Sequence, residues 1–425
     1  MTLSLSTSLT KPNVADTRQV RLTSRMVHIG SAVPKLNPFE YVKTAKFVYL
    51  PDQDELAKAL RQRGFLNDYI ARIEQRDEII TLLEDALGDA WPTALGTEGR
   101  PIFPKSLRSV NWAGNAITDL RPMIRNGFGH HYIPGSSIKG AIRTAIAYHL
   151  LKHSDQYHVP QTSRVSAIES QLRQSMGELR RKAKFADDRL FMDELFANFG
   201  LAYQGREVRV RQGPNTDIMR AVQVSDSEPL IEQKIERDGK RPTFNNLPVV
   251  AEVVVSSRFP DYKAKSRASI YAEMVFNVRT QFTLSVDHEM LSWFRHNKGL
   301  TLPFESVDDL LKICQEFAQE QWDFEHDYWA TIVNNPNAQG KNLSFDYIQE
   351  LYEPEACPHT LRLGWGSGLR GTTINLLLPD ETVREIRDTC GLSAPGFEAP
   401  KSRRTIMNSR GEIRYVPGWV RLEAL

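Results

Sequence analysis

The sequence predicts a fold of mixed α+β class, in which strand-like segments are separated by helical ones. Partial alternation of apolar and polar residues indicates a strand over residues 17–29. Segments 249–255 and 270–286 are rich in Val, Ile, Phe and Thr, as strands usually are. The charged segments 52–89 and 287–333 are typical of helices. A chain of 425 residues, 41% of them hydrophobic, is long enough for two or three domains or for one core with large insertions.

Further elements are expected between the first strand and the strand pair near the middle of the chain. Segment 52–89 is helical with a break at Gly64, because glycine commonly ends a helix. Segment 167–198 is strongly charged and also helical. Segments 205–211 and 219–224 are typical of short strands.

The charged residues fall into blocks of opposite sign. The chain has 54 Lys and Arg against 52 Asp and Glu, so its net charge is only +2. Residues 99–143 nevertheless hold seven basic residues and one acid, and residues 401–425 hold six basic residues and two acids. Segments 52–89 and 305–355 are acidic. We therefore expect one basic side suited to phosphates and one acidic side that faces protein or solvent.

Composition also narrows the class of protein. A run of about 18 apolar residues is missing, so the sequence predicts no membrane-spanning helix. Residues 1–13 lack the charged and apolar regions of a secretory signal. Cys314, Cys357 and Cys390 are far apart and form no C-x-x-C motif, which predicts neither a zinc site nor a disulfide framework. We expect a cytoplasmic protein that binds no metal and no cofactor.

The clearest local signal is a turn followed by a helix. The turn lies at residues 134–135, and Ser136 and Ser137 are expected to cap the helix that follows. Apolar residues then repeat at helical spacing, while Lys139 and Arg143, four positions apart, point elsewhere. A free helix start with two hydroxyl groups and a nearby lysine suits an anion, so the sequence predicts a phosphate-binding site here. A plain capped core helix is the alternative.

A glycine-rich loop over residues 361–373 is the second candidate site. Its glycines allow backbone N–H groups to converge on an anion, Arg370 adds charge and Trp365 offers a stacking face. The loop is not a Walker motif, because no Gly-Lys-Ser or Gly-Lys-Thr follows. A structural glycine turn is the alternative interpretation. The glycines concerned are Gly364, Gly366, Gly368 and Gly371.

Histidines and acids give weaker signals. His28 ends the first strand, where it could act as an acid–base group or as a polar, RNA-stacking residue. Asp217, Asp226 and Glu273 lie in or near strands, but their spacing is not that of a two-metal site. We interpret these three acids as structural capping and pairing residues.

Several of these stretches together resemble the RAMP superfamily of CRISPR-associated proteins. Residues 22–31 resemble its N-terminal strand and loop, the Pro-Gly-Ser-Ser-Ile-Lys-Gly turn in 132–144 its first core helix, and residues 364–371 its C-terminal glycine-rich loop. Residues 217–227, and the ending made of 400–404 and 417–420, are similar to the fifth Csm subunit family of type III-A effector complexes.

The resemblance implies a ferredoxin-like (RRM-type) βαββαβ core with helical insertions and a β-hairpin extension. On this basis we expect residues 14–50 and 99–286 to form the core with inserted elements, and 51–98 to form a helical insertion. Residues 287–356 are expected as an acidic helical insertion, and 357–425 as the glycine-rich loop and closing strands.

The resemblance further implies a guide-RNA (crRNA)-binding subunit without catalytic activity. Such a subunit caps the backbone of the complex toward the crRNA 3′ end and supports crRNA maturation in antiviral defence. Its implied partners are crRNA, the backbone and small subunits of the type III-A complex, and host nucleases that trim the crRNA 3′ end. No membrane contact is implied. The expected RNA-binding residues are His28, Gly30, Ser31, Ser136, Ser137, Lys139, Arg143, Arg220, Gly364, Gly366, Ser367, Gly368, Arg370, Arg403 and Arg404.

One departure from the family pattern bears on catalysis. The related backbone subunit cleaves target RNA with an aspartate in the loop after the first strand. Here that loop, residues 30–40, contains no Asp, and Asn37 or Glu40 is a poor substitute. This favours a subunit that does not cleave.

Two other functions stay open on the sequence alone. The first is a RAMP-type CRISPR endoribonuclease that processes precursor crRNA with His28 as the acid–base group. The second is a scaffold that contacts only protein.

Overall fold

The computed structural model describes residues 14–182, 188–237, 240–338 and 341–425, so residues 1–13 lie outside the described part. It confirms the predicted mixture of strands and helices. The strands are β1 (Ala15–Val27), β2 (Val42–Lys43), β3 (Phe47–Tyr49), β4 (Arg108–Asn111), β5 (Leu120–Arg121), β6 (Phe199–Tyr203), β7 (Arg206–Val208), β8 (Val222–Val224), β9 (Gln233–Arg237), β10 (Lys240–Asn245), β11 (Leu247–Arg258), β12 (Ala264–Asp287), β13 (Phe294–His296), β14 (Asn335–Ala338), β15 (Lys341–Leu343), β16 (Leu361–Arg362), β17 (Arg403–Met407), β18 (Ile413–Tyr415) and β19 (Trp419–Ala424).

The described residues form ten α-helices, of which α4 and α7 build the core. The helices are α1 (Gln53–Arg63), α2 (Leu66–Gln75), α3 (Ile80–Leu87), α4 (Gly135–Lys152), α5 (Val165–Lys182), α6 (His288–Trp293), α7 (Val307–Thr331), α8 (Asp346–Tyr352), α9 (Gly368–Gly371) and α10 (Asp380–Arg387).

One large sheet organises the chain. Its strands lie in the order β16-β19-β1-β12-β11-β4-β3-β2. The long strand β12 pairs antiparallel with β1 on one side, Val20 facing Phe282, and with β11 on the other. Strand β19 pairs antiparallel with the opposite edge of β1, and β17 pairs with the end of β11. The first and last thirds of the sequence therefore meet at β1.

Helices α4 and α7 pack together against one face of this sheet. Val20 and Leu22 of β1 share a buried core with Ile138 and Ile142 of α4 and Phe317 of α7. The rings of Phe317 and Tyr148 lie 4.8 Å apart across the two helices. Segment 287–356 was expected as an insertion, but α7 lies within the main core because its apolar face is buried against β1 and α4.

Residues 51–98 contain three helices with a core of their own. Leu56, Leu60 and Leu83 of α1 and α3 pack with Tyr49 and Trp91, whose rings are 5.1 Å apart. The predicted break at Gly64 is confirmed, since Gly64 has a φ of 83° and ends α1.

Most predicted elements are confirmed with shifted ends. The strands expected at 17–29, 249–255 and 270–286 are present as β1, β11 and β12. The strand expected at 205–211 is only β7, and 219–224 begins as a 3₁₀ turn before β8. The expected loop at 361–373 contains β16, a 3₁₀ turn and α9. Within the described residues, helices long and apolar enough to cross a membrane are absent.

Candidate nucleic-acid interface

The start of α4 is closed by protein groups rather than open to an anion. Pro134 precedes the helix, and neither Ser136 nor Ser137 caps it with a side chain. Instead the backbone N–H of Gly135 donates a 2.7 Å hydrogen bond to Asp226 Oδ1. The prediction of serine caps on a free helix start is therefore wrong, because a carboxylate already occupies that position.

Basic side chains gather beside this helix start. The Arg143 guanidinium lies 2.5 Å from Asp217 Oδ2 and 4.2 Å from the centre of the Phe196 ring. Asp217 also accepts a hydrogen bond from the Met219 N–H and so caps the turn that carries Arg220, which is exposed. The structure thus brings the 217–227 stretch against the 134–143 stretch, and the interpretation of Asp217 as a capping and pairing residue is confirmed.

We define the helix-start surface as Ser136, Lys139, Gly140, Arg143 and Arg220. Lys139 is half-buried, and this burial lowers its pKa although Asp217 opposes the shift. Ser136 and Gly140 are exposed. An α-helix turns about 100° per residue. Viewed down the axis of α4, these two small residues therefore lie between Arg143 on one side and Thr144 on the other. The surface therefore continues from Arg143 toward the side of the helix on which Thr144 lies.

That side of α4 faces the glycine-rich segment. Thr144 lines a cavity of about 260 Å³ together with Leu369, Thr372 and Thr373. At its other end the segment meets β1, because the Trp365 N–H donates a 3.1 Å hydrogen bond to the His28 carbonyl. The structure therefore places the two family-like motifs side by side.

The glycines of this segment mainly allow close backbone packing. A Cβ at Gly364, whose φ is +71°, would lie 2.3 Å from the His28 carbonyl oxygen. A Cβ at Gly366 would lie 2.5 Å from the Pro417 carbonyl oxygen. The Ser367 hydroxyl donates to the Arg362 carbonyl. These contacts support the structural-turn interpretation for the first half of the segment. Gly368, in the second half, is exposed.

Trp365 forms the centre of a second basic group, the tryptophan–arginine cluster of Arg121, Trp365 and Arg404. The Arg404 guanidinium lies 4.2 Å from the Trp365 ring centre and donates to the Trp365 carbonyl, while that of Arg121 lies 5.6 Å from the ring. Burial and the nearby Arg121 lower the pKa of Arg404. Two guanidinium groups beside one indole suit a phosphate or a nucleobase.

Arg370 and Arg403, in contrast, face the protein interior. Arg370 is 6% exposed and donates to the carbonyls of Asn375 and Ala399. Arg403 is 5% exposed and lies 3.1 Å from Glu325 Oε1. Their guanidinium groups therefore bind protein groups, which removes both residues from the surface expected to contact phosphates.

His28 is also buried, at 3% exposure. Its Nδ1 lies 2.6 Å from the Glu273 carbonyl oxygen, and because a carbonyl only accepts, Nδ1 carries the hydrogen. Burial lowers the pKa of His28, and its ring meets Trp365 edge-on at 5.5 Å. The imidazole therefore packs against the buried side of Trp365 and does not face solvent.

The buried Glu273 carboxylate accepts hydrogen bonds from several segments of the chain. It accepts hydrogen bonds from the Ser109 hydroxyl, the Met123 N–H and Arg125 Nη2, the last at 2.5 Å. Although burial alone would raise the pKa of Glu273, Arg125 holds it far below its usual range. The structural interpretation of Glu273 is confirmed.

The remaining predicted residues lie at the end of β1. Gly30 is exposed and pairs with Met123 in an isolated bridge. The Ser31 hydroxyl donates to the Val33 carbonyl, which folds the following loop. Sequence reasoning missed Arg121 and Arg125 as individual residues, although both belong to the basic block at 99–143 that signals them.

Most of the chain matches a known protein superfamily. The profile described as the RAMP superfamily matches residues 20–350, which is more than half of the 425-residue chain. This chain therefore belongs to the RAMP superfamily.

Within characterised proteins, the chain is similar to the CRISPR system Cms protein Csm5 of two bacteria. It is 31% identical to that of Streptococcus thermophilus over 137 residues and 30% identical to that of Enterococcus italicus over 154 residues. The alignments cover 29% and 30% of this chain. They span 36% and 44% of the two relatives, less than half the length of either.

Solved structures share the fold over nearly the whole chain. A chain in the cryo-EM structure of a Csm–crRNA–target RNA ternary complex of a type III-A CRISPR-Cas system aligns with 96% of this chain and 100% of its own length, with a TM-score of 0.61 and 24% identity. The crystal structure of T. onnurineus Csm5 aligns with 95% of this chain and 99% of its own length, with a TM-score of 0.54 and 20% identity.

Proposed function

We propose that this chain is a Csm5-type subunit of a type III-A CRISPR effector complex and that it binds the guide RNA. In this role it caps the backbone subunits toward the crRNA 3′ end and supports crRNA maturation in antiviral defence. Superfamily membership and similarity to Csm5 proteins support the type of subunit. The observation that carries RNA binding is the Arg143–Asp217 ion pair, which brings the 217–227 stretch with its exposed Arg220 against the helix that carries Lys139 and Arg143.

We also infer the ferredoxin-like (RRM-type) core. Strands β19, β1, β12 and β11 are neighbours in this order, and each adjacent pair is antiparallel. Helix α4 follows β1 and α7 follows β12 along the chain, which is the sequence of elements in a βαββαβ unit. On this inference residues 51–98 are an insertion, and β9 with β10 is the hairpin extension.

The RNA path suggested by these groups follows the two basic surfaces. Lys139, Arg143 and Arg220 would contact phosphates, which fix register without reading sequence. Arg121 and Arg404 would contact a further nucleotide beside Trp365. The proposed path also includes Gly30 and Gly368, which are exposed, and the hydroxyl groups of Ser31, Ser136 and Ser137.

We propose that the subunit holds RNA without cleaving it. The endoribonuclease alternative needs a titrating histidine at the surface, whereas His28 is buried and bonded to the Glu273 carbonyl. In the loop after β1, Asn37 Nδ2 donates to Glu40 Oε2, so these two side chains bind each other. The proposed partners are crRNA, the backbone and small subunits and trimming nucleases of the host, in the cytoplasm.

Co-expression with the partner subunits and a guide tests this proposal. We expect complexes with the wild-type chain to keep a guide with a defined 3′ end. Lys139→Ala with Arg220→Ala should leave the chain in the complex but reduce guide retention, because two phosphate contacts are lost. The matched control is Arg61→Ala with Arg76→Asn on the helical insertion, both exposed, the Asn chosen because Arg76 has a positive φ.

Two outcomes would contradict the proposal. Guide retention equal to that of the control pair would favour a scaffold that contacts only protein. Cutting of repeat RNA by the purified chain, abolished by His28→Ala, would restore the endoribonuclease alternative.

A further inference from the structure

Three metal-ligating side chains meet where the end of α4 packs on α7. His149 lies in the last turn of α4, His153 follows the end of that helix four residues later, and Glu316 comes from α7. Glu316 Oε2 is bonded to His149 Nδ1, and Glu316 Oε1 lies 2.8 Å from His153 Nε2. The ligand atoms all lie within 4.8 Å of one another. Two histidines and one carboxylate form a common zinc-binding set that leaves a further position for water.

The surrounding groups prepare these side chains as ligands. The hydroxyl of Tyr157 lies 2.9 Å from His149 Nε2 and so orients Nδ1 toward Glu316.

Lys152 already pairs with Glu316, one of the three candidate ligands. Lys152 Nζ lies 2.8 Å from Glu316 Oε1 and 2.6 Å from Glu320 Oε1. Because Glu320 can hold the ammonium group alone, Lys152 can leave Glu316 without losing its salt bridge. A metal and Lys152 would therefore compete for Glu316.

We propose that His149, His153 and Glu316 bind a divalent transition metal of the zinc class, which clamps α4 to α7. His149 Nδ1, His153 Nε2 and a Glu316 oxygen are the protein ligands. The site is independent of the proposed RNA-binding function, since Lys139 and His149 are 10 residues, or roughly 15 Å, apart along α4. Imidazole ligands favour Zn²⁺, Co²⁺ or Ni²⁺ over Mg²⁺.

A cobalt titration of the full-length chain, stripped with chelator, tests the site. We expect a visible-range Co²⁺ absorption band that saturates at one metal per chain, is displaced by Zn²⁺ and is unaffected by Mg²⁺. His153→Ala and Glu316→Gln should each weaken binding by at least about tenfold. Lys152→Met should strengthen it several-fold, because a competing cation is removed.

The control is His326→Ala, a partly exposed histidine further along α7, which should leave the titration unchanged. A second measurement covers any variant that folds poorly: Zn²⁺ should raise the melting temperature of the wild-type chain and not that of His153→Ala. A wild-type chain without the band overturns the proposal, as does a band that survives both His153→Ala and Glu316→Gln. Equal metal affinity of Lys152→Met and wild type also contradicts it.

Discussion

The basic stretches 99–143 and 401–425 look alike in sequence but have different surroundings. On the helix-start surface, Lys139 and Arg143 are partly exposed, and Arg143 pairs with Asp217. In the C-terminal stretch, Arg403 is buried against Glu325. Two further arginines there, Arg414 and Arg421, pair with the acids of their own stretch, Glu412 and Glu423.

The difference shows that a run of basic residues does not by itself mark an RNA surface. Arg403 belongs to the basic tail and Glu325 to the acidic helix α7, so the two charge blocks meet inside the protein. Some of the charge in both blocks is therefore neutralised inside the protein and does not reach its surface. Of the two adjacent arginines in the C-terminal stretch, Arg404 lies beside Trp365, whereas Arg403 is bound to Glu325.

Arg403→Met should have the largest effect on folding. Within the described residues, removing the guanidinium leaves Arg362, at 3.6 Å, as the one cationic partner of the buried Glu325. We expect a loss of about 3 kcal/mol in the free energy of unfolding, measured by urea denaturation. RNA affinity of the folded fraction should stay at the wild-type value.

The double variant Arg403→Met with Glu325→Gln is its control. It should recover part of the lost stability, because the uncompensated charge is gone. If the Arg403→Met chain were as stable as wild type but bound RNA more weakly, Arg403 would contact RNA. That result would contradict the buried, structural role given to it in this comparison.

Two glycine substitutions give the next largest effects, with opposite signs. Gly364→Ala places a Cβ 2.3 Å from the His28 carbonyl oxygen at a positive φ, so unfolding free energy should fall by at least about 2 kcal/mol. Gly140→Ala meets no atom within 4 Å in the described structure and lies inside α4, so stability should rise by about 0.5–1 kcal/mol. Thermal denaturation of both variants measures the difference, and equal effects would contradict the packing role of Gly364.

A smaller, pH-dependent effect is expected at His28. Burial lowers its pKa, so below pH of about 6.5 the unfolded chain takes up a proton that the folded chain does not, and stability falls with falling pH. In His28→Asn, whose amide can donate to the Glu273 carbonyl, this fall should be shallower by up to about 1.4 kcal/mol per pH unit. Urea midpoints at pH 7 and pH 5 provide the measurement, and the same pH dependence in both proteins would contradict a buried, neutral His28.

Local pattern predicted much of the fold. The alternation at 17–29 and the helical spacing after the 134–135 turn correspond to β1 and α4, because each buries one face in a single core. The positions of Lys139 and Arg143 on the helix side away from Ile138 also follow from the spacing. These features depend on residues close together in sequence.

Contacts between distant residues could not be predicted in the same way. The bond from Gly135 to Asp226, which displaces the expected serine caps, joins residues 91 positions apart. The burial of Arg403 depends on Glu325, which is 78 positions away. The i, i+4 spacing of His149 and His153 is visible in the sequence, but their shared partner Glu316 is brought close only by the packing of α4 on α7.

The salt dependence of RNA binding tests the central claim most directly. The logarithm of the affinity for single-stranded repeat RNA would be measured by fluorescence anisotropy against the logarithm of salt concentration. Each lost phosphate contact lowers the slope by about 0.7, so Lys139→Ala with Arg220→Ala should lower it by about 1.4. Arg61→Ala with Arg76→Asn should keep the wild-type slope. An unchanged slope in the first pair, or an equal drop in the second, would contradict RNA binding at the helix-start surface.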